Sequence, residues 1–149
     1  MFRLIGDINM SFIKDAILEA VESKQFKVQE VGAAASTSIR LNIERLYTEK
    51  RSPKPLWERL ADDASKHDPE GWRAIGDYPY ENTVTIFFDE ENEGTMYSLD
   101  SCKDVVNLIS ECPGFVFYVT NSDCSFLLCH NDHDYLIGTG EAKGWVGEM

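Results

Sequence analysis

The sequence predicts an α+β fold, with N-terminal helices packed on a mainly antiparallel sheet of about four strands. Three observations lead there. Apolar residues recur at helical spacing through the first third, at Phe12, Ile13, Ala16, Ile17, Ala20 and Val21. From Val84 onward the period shortens to two, and β-prone runs are separated by turn residues. Between the second and third of those runs lies a segment, Val105 to Cys112, that returns to helical spacing.

Taken in order, the first helix covers the Phe12–Val21 stripe, with Asn9 or Ser11 as its cap. Phe26, Val28 and Glu30 suggest a short strand. Gly32 to Ser38 is a connection or helix start, and Ile39, Ile43, Leu46 and Tyr47 form a second helical stripe. Pro53 and Pro55 break it, because each removes an amide donor and restrains the residue before it. Leu56, Trp57, Leu60, Ala61 and Ala64 predict a third short helix, stopped by His67-Asp68-Pro69-Glu70-Gly71. Trp72 and Ile75 anchor the following turn, and 76–82 is a loop around Pro79.

Val84 to Phe88 and Met96 to Leu99 then form two strands around the acidic turn 89–94. Asp100 or Ser101 caps the next helix, and Pro113-Gly114 ends it. Phe115–Thr120 and Ser125–His130 are strands joined by the turn Asn121-Ser122-Asp123. Asp132–Ile137 holds a turn and a short strand. Gly138 and Gly140 allow a tight turn into a C-terminal helix whose Trp145 packs back on the sheet.

The 149 residues fit a single domain, 1–149. A chain of this size buries about two-thirds of the surface its unfolded form exposes, enough for a core without staples. The four cysteines, Cys102, Cys112, Cys124 and Cys129, are too few for a disulfide scaffold. They allow three full pairings, but reduced thiols in a cytoplasmic protein are the expectation. The stretch MFRLIGDINMSFIKD places Asp7 and Asp15 before any long apolar run and lacks a cleavage site, so no signal peptide is expected. No apolar run approaches the length of a membrane-spanning helix.

The formal net charge is -12, and it is unevenly placed. Residues 81–149 carry two basic and thirteen acidic side chains. This balance argues against direct nucleic-acid binding, which needs a basic footprint, and against an anionic membrane surface. It favours a basic protein as partner.

The densest polar constellation runs from Cys124 to Asp134, CSFLLCHNDHD. Its Cys-x4-Cys-His-x2-His spacing matches no structural-zinc pattern, and Cys129 and His130 point to opposite faces if both lie in a strand. A core cysteine, an edge histidine and a polar turn over 131–134 account for it, so no metal or other cofactor is expected. His133 between Asp132 and Asp134 has the makings of an oriented base. A metal- or cysteine-dependent hydrolase using Cys129, His130, His133 and Asp134 is therefore the enzymatic alternative. No nucleophile elbow, phosphate loop or His-Glu-x-x-His pattern accompanies it, and no catalytic residue is assigned. The acidic run Asp89, Glu90, Glu91 and Glu93 lacks the register of a calcium loop. It reads as a solvated turn or a protein-contact patch. Tyr78 and Tyr80, flanking Pro79, combine contact area with a polar tip and suit interface anchors.

The segments Phe115–Asn121, Cys129–Ile137 (CHNDHDYLI) and Gly140–Trp145 resemble a family of small uncharacterised bacterial proteins, with weaker echoes at Trp57, Leu60 and Trp72. In size, charge and character the whole chain is similar to acidic immunity proteins that neutralise bacterial toxins. The resemblance implies a cytoplasmic inhibitor that binds a basic cognate toxin domain, such as a nuclease, and blocks its substrate path. The contacts expected for that role are Asp89, Glu90, Glu91, Glu93, Asp132 and Asp134, with Tyr78 and Tyr80 as anchors. A regulatory or structural interaction module is the remaining alternative.

Overall fold

A computed structural model describes residues 5–49 and 52–149, and side chains from Phe12 onward. The expected caps Asn9 and Ser11 fall before that point, and Lys50 and Arg51 lie outside the described residues. Helix α1 spans Ile5–Lys24, so Asn9 and Ser11 lie within it rather than at its start. Ile13, Ile17 and Ala20 are buried, whereas Phe12 faces solvent. The expected strand near Phe26 shrinks to β1, Gln29–Glu30. Helix α2, Ala33–Tyr47, buries Ile39 and Ile43 and leaves Leu46 exposed.

The third predicted helix does not form. Leu56–Glu58 is a single 3-10 turn, and Asp63–His67 is strand β2. The strand is held by pairing rather than by its own pattern. All five residues pair antiparallel with β7, Tyr135–Gly140, from Asp63 opposite Thr139 to His67 opposite Tyr135. The Thr139 hydroxyl donates to the Asp62 carbonyl at 2.6 Å.

A 3-10 stretch, Gly71–Asp77, leads to β3, Val84–Phe87, and β4, Tyr97–Leu99. Helix α3, Cys102–Ser110, starts at Ser101, whose hydroxyl accepts from the Asp104 amide at 3.2 Å and satisfies one of the donors a helix start leaves open. Strands β5, Phe117–Thr120, and β6, Phe126–His130, follow, then β7 and helix α4, Lys143–Gly147.

Among the described residues the sheet has seven antiparallel strands in the order β1-β4-β3-β5-β6-β7-β2 rather than about four. Both β4 and β5 pair antiparallel with β3, so they run parallel to each other on either side of it. Two strands that run parallel need a crossover connection, and α3 supplies it, passing over β3. Both faces of the sheet are covered. One carries Val84, Ile86, Leu99, Val119, Phe126 and Leu128 against α1, α3 and α4. The other carries Phe87, Tyr118, Leu127, Cys129 and Ile137 against α2 and the 3-10 turn at Leu56. Double coverage explains why every residue of β3, β5 and β6 is buried.

Gly138 lies in β7, not in a turn. A Cβ there would sit 2.6 Å from Val146 Cγ2 and 2.8 Å from the Ala142 carbonyl oxygen, so its absence lets α4 lie directly on the sheet. Gly140, at φ 63°, makes the turn that follows.

Candidate functional site

Antiparallel register sorts the loops to two ends of the sheet. Phe87 lies opposite Tyr118, Phe117 opposite His130, and His130 opposite Leu136. The turn after β3, the turn after β6 and the end of β2 therefore share one end. These segments bring Glu90, Glu91, Asp132, Asp134, Asp68 and Glu70 to it. Glu81, Asp100, Asp123 and Glu141 lie at the opposite end, so the charge is divided rather than gathered on one face.

Some carboxylates at either end are paired. Away from the first end, Asp100 faces Lys27 at 3.3 Å, Asp77 faces Lys103 at 4.0 Å, and Asp62 is bound by Lys143. At the first end Glu70 holds Arg73 at 2.7 Å, and Glu90 feels the charge of Arg40. Among the described residues, no lysine or arginine forms an ion pair with Glu91, Asp132 or Asp134.

The expected contact residues divide sharply. Glu90, Glu91 and Asp132 are exposed and Asp134 is half-buried. Asp89 and Glu93 turn inward, at 8% and 4% exposure. Asp89 accepts from the Leu56 amide at 2.8 Å and from the Tyr118 hydroxyl. Glu93 accepts from the Thr95 amide at 3.0 Å. A buried carboxylate needs its donors, so these two serve the fold. The tyrosines do not join the acidic end. Tyr78 is 9% exposed, its ring 4.8 Å from Phe126 and 5.1 Å from Trp145 by centroid, and burial pushes its hydroxyl up to about 12. Tyr80 is half-buried on the same Phe126 ring at 5.2 Å. Phe126 opens β6 at the far end, so Tyr78 is a core residue rather than an exposed anchor.

At the acidic end a groove of about 480 Å³ opens between α3 and the sheet. That volume lies within the range of small-ligand clefts, about 300–1,000 Å³. Ile109, Phe115 and Phe117 form its apolar side, Trp72 and Arg73 one wall, and the 130–134 segment the other. The Arg73 guanidinium lies 4.4 Å over the Trp72 ring while its Nε bonds Glu70.

The polar wall is built by one asparagine. Asn131 Oδ1 accepts from the His133 amide at 3.0 Å and the Tyr135 amide at 2.9 Å, closing the β6–β7 turn. Asp134, at φ 66°, completes it in the left-handed region that aspartate tolerates. These two bonds fix which side of the amide is oxygen. Asn131 is 4% exposed, and its Nδ2 donor has no partner among the described residues. His130, 7% exposed, places Nε2 3.1 Å from the Asp68 carbonyl. A carbonyl only accepts, so Nε2 carries a proton.

Cys129 points the other way, as alternation in a strand requires. It is buried in the core beneath α2, and burial, then the nearby Asp89 and Asp132 charges, raises its thiol well above the ordinary range. Thiol and imidazole are thus on opposite faces and do not form a nucleophile–base pair. His133 lies at the surface, 3.9 Å from Asp132, with its ring edge-on to Trp57 at 5.5 Å. Among the described residues, no three His, Cys, Asp or Glu side chains are grouped to hold a metal ion. All four cysteines are free. No described helix is long and apolar enough to cross a membrane.

The sequence singles out His130, Asn131, Asp132 and Asp134. It does not single out Arg73, Ile109 or Phe115 as site residues, because nothing in their local pattern says that they face the 130–134 turn. Comparison with protein-family models, with curated proteins and with solved structures finds no match for the chain.

Proposed function

We propose that the chain is an inhibitory binding protein, similar in role to acidic immunity proteins, that docks a basic protein on the end of the sheet carrying Glu90, Glu91, Asp132 and Asp134. The partner in this reading is a cognate toxin domain in the bacterial cytoplasm. One observation carries it: Glu90, Glu91, Asp132 and Asp134 share one end of the sheet, and among the described residues no lysine or arginine forms an ion pair with Glu91, Asp132 or Asp134. Unpaired carboxylates sustain a negative potential beyond the surface, which steers a cationic protein and orients its approach. No chemical step is needed. Occupying a positive surface is enough to exclude a nucleic-acid substrate from it.

The test is affinity capture from cells of the source strain, followed by association kinetics of the captured partner at low and high salt. A basic partner whose association slows as salt rises supports the reading. Capture of only acidic or uncharged binders, or kinetics indifferent to salt, overturns it. An endogenous assembly captured in place of a toxin turns the assignment to a regulatory module.

A further inference from the structure

We propose that the outer edge of β2 is a self-association surface, on which a second copy of this chain pairs its own β2 antiparallel about a two-fold axis at Ser65. Strand β2 is last in the sheet order, so one of its edges faces no strand. The ladder shows which residues turn their backbone groups outward. The Asp68 amide donates to the Asp134 carbonyl at 2.7 Å, so position 68 faces β7. Backbone direction alternates along an antiparallel strand, so Lys66 and Ala64 also face β7, and His67, Ser65 and Asp63 face away. The other side of β7 agrees. The Asn131 amide donates to the Tyr135 carbonyl at 3.2 Å, which turns 135 toward β6 and leaves 134 and 136 for β2. Among the described residues, no hydrogen bond reaches the outward amide and carbonyl of Ser65 or His67.

An open ladder is a template for another chain, and edge strands are commonly blunted by proline, a bulge or a covering element. Strand β2 holds no proline, and its five residues pair with β7 in unbroken register. The elements packed on it most are β7, beside it, and α4, on one face. The charge pattern of Asp63-Ala64-Ser65-Lys66-His67, read against itself, selects a second copy as the occupant. A two-fold pairing that uses all five residues centres on Ser65. It sets Asp63 opposite His67 and Ala64 opposite Lys66 on both sides of the axis. A carboxylate then meets an imidazole that can donate to it, and no like charges stand opposite each other. Centring on Lys66 or on Asp63 would oppose two lysines or two aspartates. The Ser65 pair exchanges both of its backbone bonds. Because the strands run antiparallel, the acidic ends of the two copies point in opposite directions and stay open.

The net charge of -12 on each copy opposes their approach, and salt screens that repulsion. So short a ladder makes a weak interface, with Kd about 10⁻⁴ M. Sedimentation equilibrium of the full chain up to about 1 mM, over a salt series, tests the proposal. The expected result is a monomer–dimer equilibrium that strengthens with salt, the opposite of the response expected for docking at the acidic end. Amide exchange followed by NMR should slow at Ser65 and His67 as concentration rises. His67→Asp opposes like charges on both sides of the axis and should weaken the dimer about tenfold. The exchange Asp63→His/His67→Asp keeps composition and net charge and should restore it. Ser65→Pro removes the central outward donor, spares the bonds to β7, and should abolish the dimer.

A chain that stays monomeric at high salt overturns the proposal. So does a dimer that His67→Asp and Ser65→Pro leave unchanged, since it then uses another surface. Should Ser65→Pro fail to fold, the charge exchange decides, and failure to restore the dimer overturns the pairing. None of these outcomes bears on capture of a basic partner, so the two readings stand or fall separately.

Discussion

The Tyr118 hydroxyl donates to Asp89 at the edge of the core, 3.1 and 3.0 Å from its two carboxylate oxygens. Tyr118 in turn accepts from the Trp57 amide at 3.2 Å, and Asp89 accepts from the Leu56 amide at 2.8 Å. One carboxylate on the turn after β3 thus fastens the 3-10 segment to β5. Two further ties close that side: Arg59 grips Glu44 with two 2.6 Å bonds, and Arg40 Nη2 donates to the Glu93 carbonyl at 3.4 Å.

Tyr118→Phe should therefore destabilise the protein by about 2 kcal/mol, because it strips a donor from a buried carboxylate without changing shape. Urea unfolding followed by tryptophan fluorescence measures this. A change below about 0.5 kcal/mol would mean that water replaces the hydroxyl. Asp89→Lys should be worse still, so charge-reversal tests of binding must leave Asp89 and Glu93 intact.

Reversing the exposed pair, Glu90→Lys with Glu91→Lys, should lower the unfolding midpoint a little, because Glu90 offsets the charge of the buried Arg40, and slow association with a basic partner about tenfold at low salt. Asp123→Lys, on the turn at the far end, is the control and should slow it much less. Stopped-flow measurement over a salt series separates steering from contact. Equal effects of the two variants would place docking away from the acidic end.

Gly138→Ala should cost about 2 kcal/mol, since the new methyl meets Val146 Cγ2 at 2.6 Å and backbone oxygen at 2.8 Å, and α4 must move. Gly94→Ala meets nothing within 4 Å and should be close to neutral. Thermal unfolding of the two variants checks the difference, and equal midpoints would show that α4 yields without cost.

Alkaline pH should destabilise the fold. Burial pushes Cys102 up to about 11 from 9.0, and likewise Cys112; it also raises Tyr97, Tyr118 and Cys129. The unfolded thiols lose protons first, near pH 9, while the folded ones retain theirs. The unfolded chain then binds fewer protons, so stability is fully present below about pH 9 and falls as pH rises toward 11. Melting temperatures should decline across that window. Thiol labelling at pH 8 should be slow for the buried Cys102, Cys124 and Cys129 until urea unfolds the chain. Rapid labelling of Cys129 in the native protein would contradict its placement.

Local chemistry accounts for what was readable in advance. Ser101 caps α3 through its own side chain, and Val84–Phe88 and Ser125–His130 are strongly β-prone in any context. The strand β2 was not readable. Asp-Ala-Ser-Lys-His has no apolar alternation, because an edge strand leaves most of its side chains to solvent. The acidic run was visible as a run, but whether a given carboxylate faces water or Tyr118 is decided by a residue 29 positions away. In the same way, Asn131 was legible as a turn residue and not as a groove wall.

By itself, then, the order of amino acids determined the α+β class, the period change near Val84, the acidity of the second half and the turn at 131–134, since these depend on neighbours a few bonds apart. The tertiary structure alone decided that seven strands pair, that Asp89, Glu93 and Tyr78 turn inward, and that Ile109, Phe115 and Trp72 meet Asn131 across a groove. Those outcomes depend on which distant surfaces pack together, and burial of apolar area carries no record of that choice in any short window of chain.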